Sequence, residues 1–249
     1  MSKLSIIIPC YNEEKRLNVH EIISFLQSNP DVFILFVNDG SRDNTIQKLE
    51  TIINQFPDRT HLLNKTKREG KGEAVRAGLL ESIKEQKIEF HGFLDADLSV
   101  SLKEFFRLFK ILAGSDKKFI TGSRIRKLGS IIKRNEWRHF YSRIIATFVG
   151  FTTRLDVYDT QCSAKIFHTL LIPDTFNEKF KTKWLFDVEL LCRLDLKNGS
   201  LEKIGIEEPL SKWTEVKDSK ISGFNFFQIL REIFIIHKYY RKKPNPDSA

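Results

Sequence analysis

A chain of 249 residues, 41% hydrophobic and 29% charged, has the composition of one large globular domain or two half-domains sharing a sheet, not of a disordered polymer. At this size roughly 70–75% of the unfolded surface can be buried without disulfides, and the three cysteines, Cys10, Cys162 and Cys192, are an odd set without metal spacing, which fits a reducing compartment. Lys+Arg 41 against Asp+Glu 32 leaves +9, which favours anionic partners; no stretch reaches the ~20 apolar residues of a membrane span, so a soluble or peripheral protein is expected.

In chain order, Leu4–Pro9 reads as a buried strand, and its stop at proline and acid is not the pattern of a signal peptide. The helix Leu17–Gln27 follows, then the strand Val32–Asn38, the helix Thr45–Phe56, a short strand near Thr60–Leu63, the helix Gly72–Lys87 and the strand Phe90–Leu94. Continuous apolar strands alternating with helices predict an α/β fold with a mainly parallel sheet covered on both faces. Ligands of such sheets bind beyond the carboxyl ends of the strands, where the polar clusters Pro9–Glu14, Asn38–Thr45 and Asp95–Ser101 fall. Beyond residue 101 the alternation weakens. We expect a helix over Leu102–Leu112, a strand over Lys118–Gly122, a basic segment Arg124–Arg138, a helix reaching Phe151 and another around Trp184–Leu194. Phe224–Tyr240 reads as an amphipathic helix, with Phe226, Phe227, Leu230, Ile233 and Phe234 on one side and Gln228, Arg231, Glu232 and Lys238 on the other. Arg241–Ala249 reads as a disordered tail.

Four clusters carry chemistry. Asp95-Ala96-Asp97 places two carboxylates one residue apart at a strand end, where they can share a hard divalent cation such as Mg²⁺ or Mn²⁺ and leave positions for phosphate oxygens. Isolated acidic pairs are usually solvated caps; the position after the fourth strand is what singles this one out. Asn38-Asp39-Gly40-Ser41 offers Asp39 as acceptor for a base N–H and Gly40 for close backbone approach, while Ser41, Asp43 or Asn44 can cap the next helix. Pro9-Cys10-Tyr11-Asn12-Glu13 offers a ring for stacking and an acceptor for a ribose hydroxyl, although as a bare pattern it is an ordinary strand-to-helix turn. Gly70-Lys71-Gly72 can place backbone amides and one ammonium near a diphosphate. It lacks the spacing of a phosphate-binding loop, and the first strand lacks the dinucleotide fingerprint.

In this order the four clusters resemble family-2 glycosyltransferases of the GT-A fold, over residues 4 to about 215. The resemblance implies a Rossmann-like mixed, mostly parallel sheet flanked by helices, in a domain spanning 1–240 with a nucleotide-binding half (1–100), an acceptor half (101–222) and the C-terminal helix (223–240). It implies that Pro9, Tyr11, Glu13, Asp39, Gly70 and Lys71 bind the nucleotide sugar with Asp95, and that Asp95 and Asp97 hold the metal. Thr121-Gly122-Ser123-Arg124, Asp159-Thr160-Gln161-Cys162, the run Trp184–Leu191 and Trp213-Thr214-Glu215 are similar to the dolichyl-phosphate glucosyltransferase and mannosyltransferase branch, most of all to its β-glucosyltransferase. Ser163-Ala164 replaces the usual Gly-Phe, and the usual proline is missing from Leu98–Leu102.

That branch implies an inverting displacement in which a UDP-hexose, most of all UDP-glucose, gives its sugar to a polyprenyl phosphate at the cytoplasmic membrane face. Arg124 and Arg143 are then the acceptor-phosphate residues, while Lys133 and Arg138 read as solvated surface. A hydroxyl acceptor on a cell-envelope glycan instead needs a general base, for which Asp187 is the candidate, so Asp97, Asp187 and Arg124 are the catalytic set. Asp187 and Glu189 lie roughly 200° apart on a helix, so only one can face the site. The C-terminal helix with Lys238, Arg241, Lys242 and Lys243 either binds an anionic membrane or packs on the core. Nucleic-acid binding rests on charge alone and is not expected.

Overall fold

The structure is a computed structural model that describes residues 3–85, 87–133, 150, 152–153, 155–214 and 226–240, with backbone only at 133 and 226. The first strands form where apolar runs were read: β1 (Leu4–Cys10), β2 (Val32–Asp39), β3 (Thr60–Lys65) and β4 (Phe90–Phe93). They pair in parallel in the order β3-β2-β1-β4. Helices α1 (Val19–Ser28), α2 (Thr45–Ile53) and α3 (Lys71–Ser82) supply the crossovers. Asn18 caps α1 by accepting the Glu21 amide at 3.2 Å, which starts the helix one residue after that cap.

The second half departs from simple alternation. Helix α4 (Leu102–Ala113), capped by Ser101, leads to β5 (Phe119–Ser123). Strand β7 (Lys165–His168) then inserts antiparallel between β4 and β5, and β8 (Gly205–Pro209) extends the edge parallel to β5. The main sheet therefore runs β3-β2-β1-β4-β7-β5-β8, mixed and mostly parallel as expected. A small sheet pairs β6 (Ile131–Lys133) with β9 (Lys212–Thr214). The remaining helices are α5 (Ile172–Phe176), α6 (Phe186–Asn198), α7 (Leu201–Ile204) and α8 (Phe226–Tyr240).

Both faces of the sheet are covered, which explains the uninterrupted apolar strands. Leu4, Ile6 and Ile8 face Ile22, Leu26, Leu49 and Phe105 of α1, α2 and α4. Ile7, Val37, Phe93 and Phe167 face Val75, Leu79, Leu190 and Ile236 of α3, α6 and α8. Helix α8 corrects one expectation. Its core side is Ile229, Glu232 and Ile236, whereas Phe227, Leu230 and Phe234 point outward beside exposed Arg231 and Lys238. Helical spacing groups Glu232 with Arg231 and Lys238 opposite the apolar side; in the fold it is buried apart from them, and its partners, given below, replace water. The expected helix to Phe151, Arg138, Arg143, Glu215 and the tail Arg241–Ala249 lie outside the described residues or nearly so.

Candidate active site

The carboxyl ends of β1, β2, β3 and β4 bring the four motifs to one edge of the sheet, and β5 adds Arg124. At the β1 end Asn12 takes a positive φ of 49°. Its amide donates to Ser41 Oγ at 3.0 Å, and its Oδ1 accepts the Arg42 amide at 2.8 Å. The Glu13 amide donates to Thr45 Oγ1 at 2.7 Å, which ties the first motif to the second. Of the residues read as caps for α2, Asp43 serves: its Oδ1 accepts the Thr45 amide at 3.1 Å, while Asn44 forms no side-chain cap bond.

Asp39 is buried, and its two oxygens accept the amides of Glu69 at 2.9 Å and Gly70 at 2.8 Å. It therefore anchors the Lys67–Gly70 loop. Gly40 permits that approach: at φ 71°, a Cβ on it would sit 2.9 Å from the Arg68 amide nitrogen. The Arg68 guanidinium covers one face of the Tyr11 ring at 4.1 Å, so stacking is left to the other face or requires Arg68 to move. Pro9 occupies β1 one residue before its end, and Glu13 is buried against Arg16 at 2.6 Å.

Arg16 also reaches Asp97, at 3.6 Å, and Lys71 Nζ meets Asp95 Oδ1 at 2.5 Å. Lys71 starts α3 behind Gly70 and can come this close because Gly72 packs against Phe186, where a Cβ would lie 2.9 Å from the ring-bearing carbon. Burial opposes charge on Lys71, but Asp95, Asp187 and Asp97 outweigh it and raise its pKa. Burial likewise pushes Asp95 up, and the Lys71 ammonium, a hydrogen bond from Ser163 and the Arg124 charge bring it below the usual carboxylate range. Asp97 is raised by burial and by the Asp95 charge, against the Ser99 amide, Arg16 and Lys71. Two carboxylates in each other's field are the donor set that a hard divalent cation satisfies. Among the described residues no cluster of three or more His, Cys, Asp or Glu side chains is placed to hold a metal. Asp95 and Asp97 would hold Mg²⁺ or Mn²⁺ as a pair and leave its other positions to a diphosphate.

A second cluster is built around Arg124, directly after β5. Its amide, Nε and Nη2 all donate to Asp159, at 3.0, 2.6 and 2.7 Å, and its guanidinium lies 5.6 Å from the Trp213 ring. Burial works against ionising Asp159, but Arg124 overrides it and lowers the pKa to about 2. The Tyr158 and Asp159 amides donate in turn to Glu207, both at 2.8 Å. Burial and the Asp159 charge push the Cys162 thiol up to about 11, so it is protonated at neutral pH and is no nucleophile.

Asp187, in the first turn of α6, is buried and ion-paired with Lys165 at 2.7 Å. Glu189 faces away, as expected: it accepts the amides of Lys181 and Thr182 at 3.1 and 2.8 Å and pairs with Arg193 at 2.7 Å. From α8, Glu232 accepts the amides of Lys183, Trp184 and Leu185 at 3.2, 2.9 and 2.8 Å. This is why α6 begins at Phe186 and not at Trp184: the preceding amides are spent on a carboxylate from another helix.

The structure thus gathers Asp39, Gly70, Lys71, Asp95, Asp97, Arg124 and Asp187 at one edge; Arg143 and the Lys133 side chain fall outside the described residues. Reading motifs alone missed Arg16, Arg68, Ser163, Lys165 and Glu232. Ser163 carried a signal, since it stands where the resemblance calls for glycine.

Residues 5–178 match glycosyl transferase family 2, and the chain belongs to that family of glycosyltransferases. Among curated relatives, dolichyl-phosphate beta-glucosyltransferase from Homo sapiens is 30% identical over 254 residues, covering 96% of this chain and 76% of its own. The enzyme of that name from Dictyostelium discoideum is 31% identical over 252 residues, covering 95% and 74%. Among solved structures, glucosyl-3-phosphoglycerate synthase from Mycobacterium tuberculosis, in complex with Mn²⁺, UDP and glucosyl-3-phosphoglycerate, has a TM-score of 0.67 at 14% identity, covering 98% of this chain and 82% of that one. TarS 1-349 from S. aureus has a TM-score of 0.53 at 20% identity, covering 97% and 67%. These structures share the GT-A fold with this chain.

Proposed function

We propose that this protein moves glucose from UDP-glucose to a polyprenyl or dolichyl phosphate, with inversion, at the cytoplasmic face of a membrane. The observation that carries the reading is the convergence of Asp95, Asp97 and Lys71 with the Asp159-bound Arg124 at one edge of the sheet. Near full-length similarity to the dolichyl-phosphate enzymes supports the same acceptor. Pro9, Tyr11, Glu13 and Asp39 hold the nucleoside, with Gly70 and Lys71 beside the diphosphate. When bound to Asp95 and Asp97, Mg²⁺ or Mn²⁺ supplies positive charge to the diphosphate. Lys71 adds a second positive charge from the protein side.

The chemistry is one displacement: an acceptor phosphate oxygen forms a bond to the anomeric carbon while the bond from that carbon to UDP breaks, and UDP leaves with the electron pair. A phosphate oxygen is already anionic and needs no proton removed. Arg124 and Arg143 position it. Transfer to a hydroxyl, with Asp187 as base, is disfavoured because Oδ1 of Asp187 is committed to Lys165. Membrane contact is assigned to the outward face of α8, where Phe227, Leu230 and Phe234 adjoin Arg231, Lys238 and, from the loop before α6, Lys181, Lys183 and half-exposed Trp184. No helix among the described residues is long and apolar enough to cross a membrane.

The test incubates the full chain with sugar-labelled UDP-glucose, Mn²⁺ and polyprenyl phosphate, then extracts into organic solvent. Label is expected in the organic phase, and Asp97→Ala is expected to lower both lipid product and UDP release at least ~100-fold. UDP release with the label remaining aqueous overturns the lipid acceptor.

A further inference from the structure

Lys165 is a buried cation that the mechanism above does not use. It is the first residue of β7, its side chain is 0% exposed, and its ammonium donates to Thr160 O at 3.1 Å, Cys162 O at 2.5 Å and Asp187 Oδ1 at 2.7 Å. All three donors of the ammonium are thereby used. Burying an ammonium carries a desolvation penalty of several kcal/mol, so an apolar side chain would serve simple packing better. The position explains the exception. In the sheet Lys165 is paired with Phe93, two residues before Asp95, so it lies beside the strand that presents both aspartates. The two carbonyls it binds belong to the loop whose Asp159 grips Arg124 and whose Ser163 hydrogen-bonds Asp95. Its third partner opens α6. One ammonium therefore links the support of Arg124, the support of Asp95 and the start of α6.

We propose that Lys165 is a positioning residue for the acceptor side. By locking Asp187 to the Thr160 and Cys162 carbonyls it fixes the Asp159–Arg124 pair, and it makes Asp187 a structural anion and not a proton acceptor. The inference rests on the reading that the acceptor brings its own anionic oxygen, and it ties that acceptor class to particular residues: an Asp187 engaged by a buried ammonium suits a nucleophile that arrives ionised.

The experiment compares wild type, Lys165→Met, Lys165→Arg and Asp187→Asn as full chains. It measures UDP affinity with Mn²⁺ by calorimetry, kcat and KM for polyprenyl phosphate, the pH–rate profile and the melting temperature. Lys165→Met is expected to lower kcat/KM for the lipid phosphate about 100-fold, mostly through KM, with UDP affinity within about two-fold of wild type. Lys165→Arg falls between the two. Asp187→Asn, whose amide oxygen still accepts from Lys165, keeps roughly one-tenth of kcat and the wild-type pH profile. A loss beyond ~1,000-fold in Asp187→Asn, with UDP affinity and melting intact, identifies Asp187 as a base and overturns the proposal. Wild-type KM in Lys165→Met overturns it too; should that variant not fold, an unchanged KM in Lys165→Arg does the same and a raised one supports it. Failure of the functional reading shows separately, in the wild-type arm, as UDP release to a hydroxyl acceptor with no lipid product.

Discussion

Gly40 stands at φ 71° with the Lys67–Arg68 backbone against its Cα, and the conformation and the contact exclude a side chain together. In Gly40→Ala the left-handed backbone alone costs about 1–2 kcal/mol, and the methyl group must push away the loop that Asp39 holds through Glu69 and Gly70. Moving that loop also moves Arg68 off Tyr11 and Lys71 off Asp95. We expect UDP affinity to fall about ten-fold or more by calorimetry; an unchanged affinity would show that the loop does not form the nucleotide pocket. That Asp39, Gly40, Asp95 and Asp97 fall at one edge of the sheet was legible in the sequence because each sits in a short motif at the end of an apolar strand, and Lys71 because two glycines flank it at a helix start. Arg16, Lys165 and Glu232 were not. Their roles come from contacts across the fold, as when Glu232 accepts the amide of Trp184, 48 positions earlier, and no local pattern encodes such a contact.

At the scale of elements, α8 and α6 depend on one another. Leu185 provides no side-chain cap for α6, and Glu232 instead holds the loop that enters it through the amides of Lys183, Trp184 and Leu185. Replacing it with alanine leaves three amides without their acceptor, that of Leu185 buried and those of Lys183 and Trp184 partly so. The expected loss is about 3 kcal/mol, or a melting temperature lower by roughly 6–12 °C, with lipid-phosphate transfer falling more than UDP binding because Asp187 lies in that first turn. Melting within a degree of wild type would remove Glu232 from the account. The donor-side elements were readable from periodicity alone, since buried parallel strands and amphipathic helices alternate there. Strands β7 and β8 were not, for physical reasons. Lys-Ile-Phe-His is short and begins with a lysine whose burial only its partners explain, and Gly-Ile-Glu-Glu-Pro is half-buried edge that carries two carboxylates for Tyr158, Asp159 and Arg107. The grouping of Glu232 with Arg231 and Lys238 on α8 failed for the same reason: a buried carboxylate with three amide partners looks like a solvent residue in sequence.

For the whole molecule, the net charge of +9 and the outward stripe of α8 act together. Phe227 and Phe234 are 80% and 65% exposed, more apolar surface than a helix packed on a core needs to show water. The full chain is expected to sediment with phosphatidylglycerol vesicles and far less with neutral ones. Phe227→Ser with Phe234→Ser should weaken that partitioning about ten-fold or more while leaving UDP affinity unchanged. Equal sedimentation of the double variant would sink the membrane face and leave the catalytic reading standing. The carboxylate that α8 lends to the start of α6 also bears on biosynthesis. Strands β1 to β4 and helices α1 to α3 are all made before residue 100, whereas the loop entering α6 lacks its carboxylate acceptor until residue 232 has been translated. A chain that ends before α8 is therefore expected to leave that loop without its acceptor, so the last element to be made is also the one that completes the surroundings of Asp187.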